Sequence, residues 1–120
     1  MTSARPPGWP AELPPAGEGF AEHAVGWLLD RLPPEYRTSP LRKHPLILAM
    51  AAERHSEATL SGTRDVYRNL RSELRDHLDQ AEIDAGLVAL ESLAANFGRT
   101  HREVVLVGQA LRGHSWKARL

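Results

Sequence analysis

Two runs of mostly apolar residues in the second half of the chain advance in alternating steps of three and four. The first run is Leu60, Thr63, Tyr67, Leu70 and Leu74. The second run is Ile83, Leu87, Leu90, Ala94, Phe97, His101, Val104, Gly108 and Leu111. This spacing places the side chains along one face of a helix that packs against another helix. The two runs therefore predict two long α-helices that form an antiparallel hairpin.

The chain is predicted to reverse near Asp79. Asp79 and Glu82 have the spacing of a capping box, in which the two side chains accept hydrogen bonds from free backbone amides at the start of a helix. Because proline is tolerated in the first turn of a helix, the first long helix is expected to begin at Pro45. The predicted helices cover residues 45–78 and 80–112. In this register Leu70 lies level with Leu90, both buried, and Ser56 lies level with Val104.

Proline separates this hairpin from the first part of the chain. Residues 1–17 contain five prolines and two glycines, a composition that favours extended backbone. We expect a flexible tail there. Trp9 is either a peptide anchor that docks elsewhere or, in the simpler interpretation, a loosely packed residue of the tail. Residues 18–32 have apolar side chains at helical spacing and precede Pro33 and Pro34, so a short amphipathic helix is predicted. The helical domain then covers residues 18–113, and residues 114–120 form a short C-terminal tail.

The fold class predicted is all-α: a hairpin of two long helices plus a short N-terminal helix, assembled into a dimeric helical bundle. Apolar residues surround the first long helix at residues 46–52, and Trp27 is expected to pack on them. The second long helix also carries apolar side chains outside its hairpin face, more than one short helix covers. We therefore expect a homodimer, with four interaction residues: Trp27, Leu93, Leu106 and Val107.

Composition narrows the partners and the compartment. The chain has 120 residues, enough for one small domain, and its 15 basic residues balance its 15 acidic residues. With no net charge, no overall field attracts the protein to nucleic acid or to an anionic membrane. No cysteine is present, and no apolar run reaches the ~18 residues of a membrane span. We expect a cytoplasmic protein that binds neither nucleic acid nor membrane.

A stripe of basic side chains follows one face of the first long helix at steps of three and four. It consists of Arg64, Arg68, Arg71 and Arg75. Four arginines on one face are typical of a phosphate-binding surface. Ion pairing across the hairpin is the simpler interpretation, because the predicted register brings Arg75 to Asp84 and Arg68 to Glu91. Exposed pairs of this kind contribute about 0–1 kcal/mol each.

The sequence contains none of the common cofactor, phosphate-loop or metalloprotease motifs. His101 occupies the helix–helix face, where it is either a metal ligand or a hydrogen-bonded residue that sets the register. Glu73, His77 and Asp84 are a weaker set of potential ligands. We expect no metal site, no cofactor and no catalytic residues.

Three classes of function remain. The first is a small cytoplasmic helical module for protein–protein interaction, an adaptor or regulator that acts as a homo-oligomer and binds a further protein. The alternative is a ligand sensor that binds a phosphorylated small molecule on an intersubunit surface lined by the arginine stripe. An enzyme is not expected, because no nucleophile, base and orienting group occur at a recognisable spacing.

Overall fold

The computed structural model describes residues 5–114, which form three α-helices. Helix α1 is Phe20–Leu29, α2 is Pro45–Leu74 and α3 is Gln80–Leu111. Two short 3₁₀ helices, Pro34–Thr38 and Pro40–Lys43, connect α1 to α2. The all-α fold with a hairpin of two long helices is confirmed. Within residues 5–114, none of the helices combines the length and the apolar character that crossing a membrane requires.

The turn of the hairpin has the predicted capping box but lies earlier than expected. The Glu82 N–H donates to Asp79 Oδ1 at 2.8 Å, and the Asp79 N–H donates to Glu82 Oε1 at 3.0 Å. Helix α2 begins at Pro45, as predicted, but ends at Leu74 instead of residue 78. The Leu74 carbonyl accepts hydrogen bonds from the N–H groups of both His77 and Leu78. These bonds close the last turn, and the chain reverses between Leu74 and Gln80.

This earlier helix end moves the hairpin register by about one helical turn. Ser56 meets His101, with 3.0 Å between Ser56 Oγ and His101 Nδ1, instead of Val104. A β-carbon added to Gly86 would lie 3.1 Å from Leu70 Cδ2, so Leu70 lies level with Gly86 instead of Leu90. The predicted register is therefore wrong, because it counted residues 75–78 as part of the helix.

The hydrophobic core lies at one end of the hairpin, where α1 packs on α2 and α3. Its members are Leu13, Phe20, Ala24, Trp27, Leu28, Leu29, Leu32, Leu48, Ala49, Ala52, Val104 and Val107. Trp27 shares this cluster with Leu48 and Ala52 of its own chain, as expected of a helix that covers the start of α2. Val107 was expected on an intersubunit surface, but it is 0% exposed. The expectation is corrected, because α1 covers the flank of α3 that carries Val107.

Part of the predicted N-terminal tail also packs on the core. The chain turns at Gly8, whose φ of 85° suits glycine. The centroids of the Trp9 and Phe20 rings then lie 5.5 Å apart, and the Trp9 indole N–H donates to the Leu13 carbonyl at 3.2 Å. Leu13 is 3% exposed and Pro10 is buried. The expectation of a loosely packed Trp9 is corrected, because these side chains supply the apolar surface that anchors a proline-rich backbone.

Beyond the core, the hairpin continues as a two-helix arm, residues 60–96. None of these residues belongs to the buried cluster around α1. Leu60 and Ile83 are buried between the two helices, whereas Leu70 and Leu90 are half-buried instead of buried as expected. Several large apolar side chains of the arm are 39–70% exposed: Val66, Tyr67, Leu74, Val88 and Leu93. The arm therefore presents apolar surface that its own chain does not cover.

Candidate functional site

All four arginines of the stripe are exposed on α2. Arg71 Nη2 lies 4.0 Å from Asp84 Oδ1, and Arg68 Nη2 lies 3.7 Å from Asp65 Oδ1 in the same helix. The predicted pairing of Arg75 with Asp84 is wrong, because the shifted register brings Arg71 to that position. The side chains of both ion pairs are more than half exposed, so each contributes about 0–1 kcal/mol.

Two shallow grooves adjoin the stripe. One, of about 340 Å³, is lined by Arg64, Tyr67, Arg68, Glu91 and Ala94. The other, of about 440 Å³, is lined by Glu57, Leu60, Ser61, Arg64, Arg68 and His101. Arg64 and Arg68 line both grooves, and neither Arg71 nor Arg75 lines either. The arginines that an anion would meet are therefore the first two of the four.

The four predicted interaction residues fall in different environments. Trp27 is 5% exposed and belongs to the same core cluster as Val107. Leu106 is half-buried, and its Cδ1 would lie 3.6 Å from a β-carbon added to Gly8. Leu93 is 43% exposed on the arm. Of these residues, Leu93 therefore presents the most accessible apolar side chain to a second molecule.

An 18-residue spacing relates the arm to the core. Val66 follows Leu48 by 18 residues, which is five full helical turns, so both side chains lie on the same side of α2. The same interval separates Ala52 from Leu70 on α2. On α3 it separates Ala89 from Val107, and Leu93 from Leu111. We call the set Val66, Leu70, Ala89 and Leu93 the arm face. It continues, along the hairpin, the surface that α1 covers at the other end.

Polar side chains occupy the boundary between the core and the arm face. A groove of about 350 Å³ there is lined by Arg31, Pro33, His55, Ser56, Thr59, Phe97 and Thr100. The Tyr36 hydroxyl and His55 Nε2 are 3.2 Å apart, and the two rings meet edge to face. Ser56 Oγ donates to the Glu53 carbonyl at 3.0 Å, so the His101 Nδ1–H donates to Ser56 Oγ. Of these hydrogen bonds, the one between Ser56 and His101 joins α2 to α3.

The sequence suggested two roles for His101, a metal ligand or a hydrogen-bonded residue between the helices. In the structure it has the hydrogen-bonding role. Within residues 5–114, no three histidine, aspartate or glutamate side chains come together as metal ligands, and Glu73, His77 and Asp84 do not form such a group. The polar contact between α2 and α3 at this point is the hydrogen bond between the Ser56 hydroxyl and the His101 imidazole.

A groove that was not predicted from the sequence lies between the N-terminal segment and the outer side of α3. Its volume is about 800 Å³, larger than the grooves at the arginine stripe. The signal was present in Trp9 and Leu13, two large apolar residues within a proline-rich stretch.

Comparison with protein-family models, with curated proteins and with solved structures finds no match to this chain.

Proposed function

We propose that this protein is a helical interaction module that works as a homodimer, in which two arms pack antiparallel through their arm faces. The observation that carries the proposal is the uncovered arm face. Leu48, five turns before Val66 on α2, belongs to the core, and Leu111, five turns after Leu93 on α3, packs against it. Val66 and Leu93 lie on the same sides of their helices but are 47% and 43% exposed. One short helix, α1, covers one end of the hairpin, and an arm from a second copy would cover the other end.

The composition of the arm face supports pairing with another helix pair. Its four members are apolar, and Thr63 is the nearest polar neighbour on the same side of α2. The arginine stripe lies on another side of α2. Arg64 and Arg68 follow Leu46 and Met50 by 18 residues, five full turns, and therefore share the side of the helix on which those two residues are exposed. Depletion of charge at the centre of a contact surface is typical of protein interfaces. Apolar residues at steps of three and four suit helix packing.

Charge at the two ends of the arm face favours the antiparallel arrangement. Near the tip, Glu73 and Glu82 lie on the same side of the hairpin as the arm face. Glu73 follows Val66 by seven residues, close to two turns, and Glu82 precedes Leu93 by 11 residues, close to three turns. At the inner end, the boundary groove contains the positively charged Arg31. When two arms pack antiparallel, the acidic tip of one arm meets the basic inner end of the other. This complementarity would orient the two copies.

The proposed dimer leaves the arginine stripe exposed on the outside. The stripe would then be accessible to a further protein with an acidic surface, the role of an adaptor or regulator. Exposed charges mainly affect the rate and the specificity of such an encounter.

Light scattering coupled to size-exclusion chromatography tests the dimer. We expect a mass twice that of the 13.3 kDa chain. Val66→Glu places a charge in the arm face and should give a monomer. Val88→Glu is the matched control: Val88 is 70% exposed and lies five residues from Leu93, on the opposite side of α3. A monomeric wild type, or equal disruption by both substitutions, would exclude pairing through the arm face.

A phosphorylated small molecule bound at the arginine stripe is the second candidate function. The supporting observation is that Arg64 and Arg68 line two adjoining grooves. A thermal-shift titration with nucleotides should then raise the melting temperature of wild type but not of Arg64→Ala. Arg75→Ala is the control, because Arg75 lines neither groove. An equal response of wild type and Arg64→Ala would remove this candidate.

A further inference from the structure

The groove between the N-terminal segment and α3 has two apolar walls and basic side chains in its lining. Gly8 and Trp9 contribute to one wall, and the outer side of α3 forms the other with Val105 and Leu106. Arg99 and Arg102 also line it. With a volume of about 800 Å³, it falls within the size range of small-molecule sites, about 300–1,000 Å³. This groove contains no residue of the arm face or of the arginine stripe, although His101 lines both it and the groove beside Arg64 and Arg68.

The apolar wall is fixed in position before any ligand binds. The Trp9 ring is held by its contact with Phe20 and by the hydrogen bond from its indole N–H to the Leu13 carbonyl. A pre-positioned aromatic ring binds an apolar group without losing side-chain freedom. Across the groove, Val105 and Leu106 are half-buried and offer aliphatic surface to the same group.

The basic side chains supply the polar end of the site. Within residues 5–114, neither Arg99 nor Arg102 has a carboxylate within 4.0 Å. Arg99 Nη2 donates to Asn96 Oδ1 at 3.2 Å, which leaves its other N–H groups free. Glu103 also lines the groove, and its carboxyl interacts electrostatically with Glu12 and Arg31 as well as with Arg99 and Arg102. Two arginines against one carboxylate leave a net positive charge in the lining, which favours an anion next to Arg99 and Arg102.

From this arrangement we propose that the groove binds a small amphipathic carboxylate. Its apolar body lies between Trp9 and Leu106, and its carboxylate accepts hydrogen bonds from Arg99 and Arg102. Guanidinium groups recognise carboxylates through paired N–H donors, which makes them suited to this role. The site does not require the dimer proposed above, since both of its walls belong to one chain.

Titration with decanoate, below its micelle-forming concentration, tests the site by nuclear magnetic resonance. The chain has three tryptophans, and the Trp9 indole N–H signal is identified with Trp9→Phe. Decanoate should shift the Trp9 signal in a saturable manner. Decan-1-ol has the same apolar body without the charge and should bind at least tenfold more weakly, the loss expected for charge-assisted hydrogen bonds.

Variants locate the two halves of the site. Arg99→Gln combined with Arg102→Gln should raise the Kd for decanoate by about tenfold or more. Arg54→Gln is the matched control: it removes an exposed arginine of α2 that lies outside the groove and should leave the Kd unchanged. Leu106→Trp fills the groove and should abolish the shift, with circular dichroism confirming that the variant is folded.

Three results would overturn the proposal. The first is the absence of a saturable shift at Trp9. The second is equal binding of decanoate and decan-1-ol, because the arginines would then have no role. The third is an effect of Arg54→Gln as large as that of the double arginine variant, which would indicate nonspecific attraction of an anion. Failure of the arm-face dimer would not affect any of these measurements.

Discussion

Replacement of Leu13 by alanine tests whether the N-terminal segment contributes to the fold. Leu13 is 3% exposed and belongs to the same core as α1 and the base of the hairpin. Burial of a leucine side chain contributes about 1.5–3 kcal/mol, and its truncation also leaves a cavity. Leucine-to-alanine changes in cores cost about 2–5 kcal/mol. Since the segment lies at the edge of the core and can relax, we expect a loss of about 2–3 kcal/mol.

Urea unfolding followed by circular dichroism measures this loss. Glu18→Ala is the control, because Glu18 is exposed in the same part of the chain and should change the free energy of unfolding by less than about 0.5 kcal/mol. Deletion of residues 1–17 should cost more than Leu13→Ala, because the contact between Trp9 and Phe20 is lost as well. If Leu13→Ala matches Glu18→Ala, the segment does not stabilise the core, and the Trp9 wall of the N-terminal groove is then not held in place by Leu13.

Substitutions of two helix glycines, of residues at the start of α3 and of Glu103 have defined expected outcomes. Gly62→Ala should stabilise α2 by up to about 1 kcal/mol in calorimetry, because no atom lies within 4 Å of the added β-carbon; Gly86→Ala should gain less, since Leu70 must move. Asp79→Ala removes the cap of α3 and should cost about 1 kcal/mol in urea unfolding, whereas Gln80→Ala should not. Burial, together with the charge of Glu12, raises the pKa of Glu103, so its ionisation destabilises the fold as pH rises. Glu103→Gln should therefore melt higher than wild type at pH 7, and this advantage should disappear below a pH of about 4.

The hairpin was predictable because its signals are local. Helix periodicity and the capping box at Asp79 depend on residues close together in the chain. The register was not predictable to within one turn, since it depends on where α2 ends. No glycine or proline marks Leu74, and the hydrogen bonds that the Leu74 carbonyl accepts at the end of the helix come from the backbone N–H groups of His77 and Leu78, residue types that do not signal a helix end.

The candidate sites were less predictable than the fold. The arginine stripe is readable from spacing, but its ion pairs depend on the register, so the partner of Asp84 was misassigned. The docking of Trp9 and Leu13 depends on contacts with Phe20 and the core, for which a proline-rich composition gives no signal. The division between covered and uncovered halves of the hairpin also depends on where α1 ends, at Leu29.

The position of the core at the open end of the hairpin has a consequence for folding kinetics. Near the turn, α2 and α3 meet across a short loop that closes at low entropic cost, but little apolar surface is buried there. The largest burial joins residues 48–52 to residues 104–107, which are separated by about half the chain. When the hairpin grows from its turn, most of the apolar surface is therefore buried late, when α1 docks. We expect the folding barrier to be crossed with the helices largely formed and α1 still undocked.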